Sequence, residues 1–273
     1  MSEKQPKKKK TAGDVVLTVV LIAAICVFCY AGYNLFHIYT EYKKGTDEYN
    51  SITQMAVTER DPDGEAAGPE AGSELKAPMD IDFASLKSVN DDVVGWIYVE
   101  AVPDINYPIV HGKDNETYLH RTYEKNYNFA GTIFVDYENK GDFSDCNTIV
   151  YGHNMKNGSM FGSIHSFEDE TFFDGHPYIY VYTENERLTY EIYEAAKFTD
   201  VYIPSEYVIS SKDDRDQFLA DVREKVSDNK LHVREDMEIG EDDRLITLST
   251  CVSGERNHRY LVIGVLVETA LYR

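Results

Sequence analysis

Apolar residues follow three rhythms along this chain. The first is an unbroken run. From Val15 to Tyr33 the sequence reads VVLTVVLIAAICVFCYAGY without a charge, and Leu35 and Phe36 extend it. A helix rises about 1.5 Å per residue, so about 20 such residues cross a ~30 Å hydrocarbon layer. Residues 15–36 therefore predict a transmembrane anchor. A cleaved signal peptide is the alternative, but it has a shorter apolar region and a small-x-small cut site, which this stretch lacks in clear form. Lys7, Lys8, Lys9 and Lys10 precede the run. The positive-inside rule keeps the basic tail, residues 1–14, in the cytoplasm and sends everything after about Tyr42 outside. Cys26 and Cys29 lie within the span, where they serve as small apolar residues or as lipidation sites.

The second rhythm is a series of short runs rich in β-branched and aromatic residues, each bounded by Gly, Asn, Asp or Pro. Strands are expected at Gly95–Val99, Asn106–Val110, Thr132–Asp136, Thr148–Tyr151, Tyr178–Tyr182, Leu188–Phe198, Leu245–Thr250 and Tyr260–Val267. The third rhythm is helical. Phe83, Leu86 and Val89 predict a helix opening near Asp82, and Phe218, Leu219, Val222 and Val226 predict another over Ser211–Ser227. Ser211 with Asp214 three residues on is a cap for the second helix. Many short strands and one sizeable helix make the chain mainly β, a β-barrel carrying helical insertions. Between anchor and strands, Thr58–Pro78 (TERDPDGEAAGPEAGSELKAP) has almost nothing to bury. Residues 37–80 are thus expected to form a flexible acidic stem, and 81–273 the folded domain. No internal repeat of fixed period is visible.

Composition narrows the partners. The 273 residues hold 27 Lys+Arg against 48 Asp+Glu, a net charge of −21. A hydrophobic share of 42% and an aromatic share of 12% exclude a wholly disordered chain. So acidic a balance argues against nucleic-acid binding, which needs a basic face, and against adhesion to anionic lipid. Four cysteines are too few and too scattered for a disulfide scaffold.

The candidate chemistry sits at strand ends. Cys251 closes the run Leu245–Thr250, and Arg259 opens the next strand across the loop VSGERNH. If those strands pair antiparallel, Cys251 and Arg259 become neighbours. His153 closes the run Thr148–Gly152, and a strand parallel to the Cys251 strand would deliver it to the same edge. A thiol attacks only as thiolate, and an imidazole can exchange its proton and later protonate a leaving amine. With ordinary pKa values of about 8.5 and about 6.5, uncoupled thiolate and imidazolium coexist in roughly one per cent of molecules or fewer at pH 7. A guanidinium favours the thiolate and can donate to an oxyanion, and its planar fork suits that better than a lysine. Arg256 competes for this role. A Cys146–Cys251 disulfide is the structural alternative for the thiol. The remaining histidines, His37, His111, His120, His165, His176, His232 and His258, are assigned structural roles, and no zinc-like spacing links His165 to His176.

The segment Leu245–Arg259, with TLSTC and an Arg eight residues after the Cys, resembles the active-site signature of sortases. Tyr151-Gly152-His153-Asn154-Met155 resembles their His-bearing segment. Asn90–Ile97 and Ile105–Val110 are similar to the start of class B sortase domains, and the Ser211–Ser227 helix to the extra helix of that class. The likeness spans Asp82 to about Val267. It implies a closed sortase-type barrel of about eight strands, with an N-terminal helix and a longer helix before the Cys strand. It also implies transpeptidation at the cell wall of a Gram-positive bacterium, with no cofactor and no metal. Cys251 would attack the Thr carbonyl of an NPxTx-like sorting signal near the C-terminus of a secreted protein, and an amine of a peptidoglycan precursor would resolve the thioacyl enzyme. His153 would be the acid/base and Arg259 the oxyanion or substrate-orienting group. Ser249, Thr250 and Asn154 would bind substrate. Pilin polymerisation is a variant of the same reaction. From other classes, an extracellular cysteine peptidase with water as acceptor and a disulfide-stabilised surface receptor remain as alternatives.

Overall fold

Chains of β-branched and aromatic residues pair readily when both faces can be covered, and here the pairing closes on itself. The structure, a computed structural model, describes residues 12–59, 79–100, 102, 104–175, 178–226 and 230–271. Its elements in chain order are α1 (Ala12–Ala56), β1 (Val57–Glu59), β2 (Met79–Ile81), α2 (Phe83–Val89), β3 (Val93–Val99), β4 (Asn106–His111), β5 (Ile133–Val135) and β6 (Asn147–Tyr151). A 3-10 helix (Gly162–Glu168) and α3 (Glu170–Gly175) follow. Then come β7 (Tyr178–Tyr182), β8 (Glu186–Thr199), α4 (Ile203–Glu206), α5 (Lys212–Lys225), β9 (His232–Val233), β10 (Leu245–Val252) and β11 (Glu255–Leu271). The strands run β11-β10-β6-β5-β4-β3-β7-β8, and β11 pairs again with β8. That second pairing closes an eight-stranded barrel, with the two-residue β9 attached to β8. All eight strands expected from the sequence are present, and so is the closure implied by the family resemblance.

Both helices expected from the sequence open on a side-chain cap, the one at Ser211 as predicted. The Asp82 carboxylate accepts from the Ser85 amide at 3.0 Å, opening α2. The Ser211 hydroxyl accepts from the Asp214 amide at 3.2 Å, opening α5. Phe218, Leu219 and Val222 of α5 are buried in one cluster with Ile149, Phe198, Leu245, Leu261, Ile263 and Val265. Phe218 meets both Phe198 and Tyr207 edge-on. Alternate residues of β6, β10 and β11 therefore lie under α5, and the intervening residues are buried as well. All six residues from Leu245 to Thr250 of the Cys strand are therefore buried, hydroxyl side chains included.

The chain divides into two compact units, Met1–Thr46 and Asp47–Arg273. In the first, residues 12–46 belong to α1, a helix long and apolar enough to cross a membrane, with its apolar side chains exposed. In the second, the last turns of α1 are packed. Tyr49, Ile52 and Ala56 are buried, and the Tyr49 hydroxyl donates to the Gly131 carbonyl at 2.7 Å. The Asp82 amide donates to the Ala56 carbonyl at 2.8 Å, and β1 pairs antiparallel with β2. The flexible stem expected over 37–80 thus differs from the structure as far as Glu59, because Tyr49, Ile52 and Ala56 form an apolar stripe at i, i+3, i+7 with a surface to cover. Residues 60–78 of that stem lie outside the described residues, as does the basic block Lys7–Lys10.

Candidate active site

Cys251 and Arg259 are directly opposed in the antiparallel pair of β10 and β11. Opposed residues project to the same side of a sheet, with Cβ atoms roughly 4.5–5.5 Å apart. β6 runs parallel to β10, pairing Asn147 with Leu245 and Tyr151 with Ser249. Chain direction alone therefore carries His153, two residues beyond the end of β6, to the rim where Cys251 emerges. By alternation Tyr151, Ser249, Cys251 and Arg259 share the sheet face that α5 covers further along. At this end the helical cover stops. A cavity of about 300 Å3 opens instead, lined by Cys251, His153 and Arg259 together.

The His153 segment is held from both sides. The Gly152 amide donates to the Ser249 carbonyl at 3.2 Å, and the Thr250 hydroxyl donates to the Gly152 carbonyl at 2.7 Å. A Cβ on Gly152 would meet Ile133 Cδ1 and Phe161 Cγ at 2.6 Å, so only glycine lets the strand pass here. His153 Nε2 lies 2.7 Å from the Leu119 carbonyl, which can only accept. Nε2 therefore carries the hydrogen, and in the neutral ring Nδ1 keeps the lone pair. Burial lowers the pKa of His153 below the ordinary 6.5; the Leu119 bond opposes this and the nearby His120 adds to it. The His120 ring stacks on His153 at 5.7 Å. Neutral imidazole is thus the resting form, ready to take a thiol proton.

Arg259 is half-buried and donates from Nη1 to the His258 carbonyl at 3.1 Å. Arg256 is exposed and lines no part of the cavity, which separates the two candidates. The segment after β8, Asp200 to Ile203, also lines the cavity. It is pinned by the buried carboxylate of Asp136, which accepts from the hydroxyls of Tyr202 and Tyr151 at 3.0 Å and from the Asn115 amide at 2.9 Å. Burial, with Asp136 close by, pushes both tyrosines above their ordinary range, so they remain donors. Sequence reasoning singled out neither Asp136 nor Tyr202. Their only signal was position beside strand ends.

The three substrate-binding candidates separate. Ser249 lines the cavity. Thr250 also borders it, but its side chain is buried and its hydroxyl is committed to Gly152. Asn154 is not part of the lining; its amide donates to the Cys251 carbonyl at 2.8 Å and to the Ser253 hydroxyl at 3.2 Å. Cys146 and Cys251 are both free thiols. The Cys146 carbonyl accepts from the Leu245 amide, six residues from Cys251 along β10. At about 3.3 Å per residue that is roughly 20 Å, far beyond the ~7 Å Cα limit of a disulfide. Among the described residues no three His, Cys, Asp or Glu side chains gather as a metal site.

Residues 97–267 match the sortase domain. Sortase B of Listeria monocytogenes is 37% identical over 173 residues, covering 62% of this chain and 67% of that protein. The crystal structure of Clostridium perfringens sortase B superposes with a TM-score of 0.61 at 35% identity, covering 68% of this chain and all of that one. A class B sortase of Streptococcus pyogenes involved in pilus biogenesis gives a TM-score of 0.58 at 28% identity, over 68% of this chain and 98% of its own.

Proposed function

The chain belongs to the sortase family of cysteine transpeptidases, as a class B member, and from that premise we propose the specific reaction it performs. Cys251, as thiolate, attacks the carbonyl of Thr in an NPxTx-like sorting signal of a secreted protein. The oxyanion of the tetrahedral intermediate is stabilised by Arg259, whose guanidinium also favours the thiolate. His153, holding the thiol proton, gives it to the departing amine as the peptide C–N bond breaks. A thioester to Cys251 remains. An amine of a peptidoglycan precursor then attacks it, His153 takes the amine proton, and the thiolate is released as the new amide forms. The observation carrying this reading is that the β6, β10 and β11 register delivers His153, Cys251 and Arg259 to one cavity. Ser249, on the same face, contacts the bound peptide.

The apolar helix anchors the enzyme, with residues 15–36 spanning the membrane, the lysine tail cytoplasmic and the catalytic unit outside. The acceptor decides between readings. The full-length protein in detergent is incubated with an NPxTx-type peptide, with and without a glycyl amine. Amide product that grows with amine concentration supports a transpeptidase; hydrolysis alone, unmoved by amine, makes it a peptidase. Likeness to a sortase involved in pilus biogenesis favours a second acceptor, a lysine amine of a pilin subunit, for the same test.

A further inference from the structure

Three side chains that line the cavity come from separate stretches of chain: Asn115 from the β4–β5 connection, Tyr151 from the end of β6 and Tyr202 from the segment after β8. All three meet on one buried group that is not part of the lining, the carboxylate of Asp136 just past β5. Register puts it there. Phe134 pairs with Tyr151, and the Asp136 amide donates to the Ile149 carbonyl at 2.9 Å. Strand alternation then sets Asp136 on the same sheet face as Phe134, Tyr151 and Ile149.

Both oxygens of that carboxylate are shared between two donors. Oδ2 accepts from the Asn115 side-chain amide at 2.9 Å and the Tyr151 hydroxyl at 3.0 Å. Oδ1 accepts from the Tyr202 hydroxyl at 3.0 Å and the Glu138 main-chain amide at 2.9 Å. The Tyr202 hydroxyl also lies 3.2 Å from Glu138 Oε1, but that oxygen already accepts from the Tyr137 hydroxyl at 3.0 Å. Asn115 is held in its orientation, because its own oxygen accepts from the Tyr137 amide at 3.0 Å. Each Asp136 oxygen therefore faces one group that can only donate. A side-chain amide in place of the carboxylate would set its NH2 against one of those donors whichever way it turned. The reacting groups are held by other bonds: His153 by the Leu119 carbonyl, Cys251 by the β10–β11 ladder and Arg259 by the His258 carbonyl.

We propose that Asp136 is a positioning residue for the donor peptide. By gathering Asn115, Tyr151 and Tyr202 onto one carboxylate it sets the cavity wall against which the sorting signal lies, and it touches neither substrate nor thiol. This rests on the reading that the cavity receives that peptide. Because the wall hangs on Asp136 and the reacting groups do not, losing the carboxylate weakens peptide binding far more than the chemical step.

The test compares D136N, Y202F and the double variant with wild type in the full-length protein. D136N is expected to raise KM for an NPxTx-type peptide about tenfold or more, to keep kcat within about threefold, and to leave Cys251 alkylation by iodoacetamide at the wild-type rate. Y202F loses one bond at a half-buried ring and keeps the fold if D136N does not; its KM should rise about threefold or more. Since Tyr202 acts through Asp136, the double variant should cost less than the product of the two single effects. Hydrogen exchange followed by mass spectrometry should quicken over residues 199–203 in each folded variant, while β6 and β10 keep wild-type rates. A folded variant with wild-type KM overturns the proposal, and so do single effects that simply multiply. Exchange that rises evenly over the barrel, the mark of a merely structural role, overturns it as well. If wild type cleaves no NPxTx-type peptide, the functional reading falls, and the exchange pattern alone judges whether Asp136 sets the wall.

Discussion

Cys251 and Arg259 stand opposite one another across β10 and β11, and Phe198 of β8 continues the row beyond Arg259. The pairing register irregularity falls immediately after Cys251, between it and Val252. The ladder is therefore regular up to the thiol and breaks just past it. This leaves the sulfur exposed at the end of a strand whose six preceding residues are buried. Rigidity below and access above are what a positioned nucleophile needs.

Arg259→Lys keeps the charge but loses the planar fork. A fall in kcat/KM of a hundredfold or more is expected, roughly 3 kcal/mol of transition-state stabilisation. Arg256→Ala, at an exposed position outside the cavity, should stay within about twofold of wild type. Steady-state kinetics on a fluorogenic NPxTx-type peptide measures both, and near-normal Arg259→Lys turnover would reassign the oxyanion donor.

Thr250→Val removes the hydroxyl that ties β10 to Gly152 and keeps the shape. The Gly152 carbonyl loses a buried partner, at a cost of about 1–3 kcal/mol. Urea unfolding should show that loss. Turnover should drop by more than the small fall in folded fraction explains, because the same bond aims His153.

His153 should titrate below 6.5, since burial disfavours its cation. Proton NMR of the ring follows this directly. His120 contributes to the lowering, so His120→Ala should move the His153 midpoint upward by a few tenths of a unit. A midpoint at or above 6.5 in the wild type would contradict the neutral resting state.

Glu194 on β8 is buried, with Arg223 Nε of α5 at 3.3 Å. Burial raises its pKa from 4.5 to about 7, against the pull of Arg223. Between those values the unfolded chain releases the proton and the folded one keeps it. Stability should therefore fall as pH rises from 4.5 to about 7 and level off above, by on the order of 1–3 kcal/mol. Glu194→Gln removes this contribution, so its Tm should drop less than that of wild type between pH 5 and pH 8. Parallel curves would contradict the buried protonated state.

The barrel was legible because each of its strands carries a short β-branched or aromatic run with turn residues at its ends, and Ser211 announced α5. The meeting of Cys251, His153 and Arg259 at one cavity was legible for the same reason, since all three fall at strand ends. What stayed hidden depends on tertiary partners. The stripe Tyr49, Ile52, Ala56 is too sparse to name a packed helix until a surface is there to receive it, and β1 and β2 are three residues each, with 19 residues between them. Asn154 sits beside the motif histidine, yet it serves the Cys251 loop rather than the cavity.

Intact-protein and peptide mass spectrometry after acid quenching of a brief incubation with an NPxTx-type peptide tests the central claim most directly. A thioester adduct ending in Thr should appear on Cys251, vanish on adding a glycyl amine, and be absent from Cys251→Ala. Cleavage of the peptide by Cys251→Ala, or an acyl group found on any other residue, would contradict it.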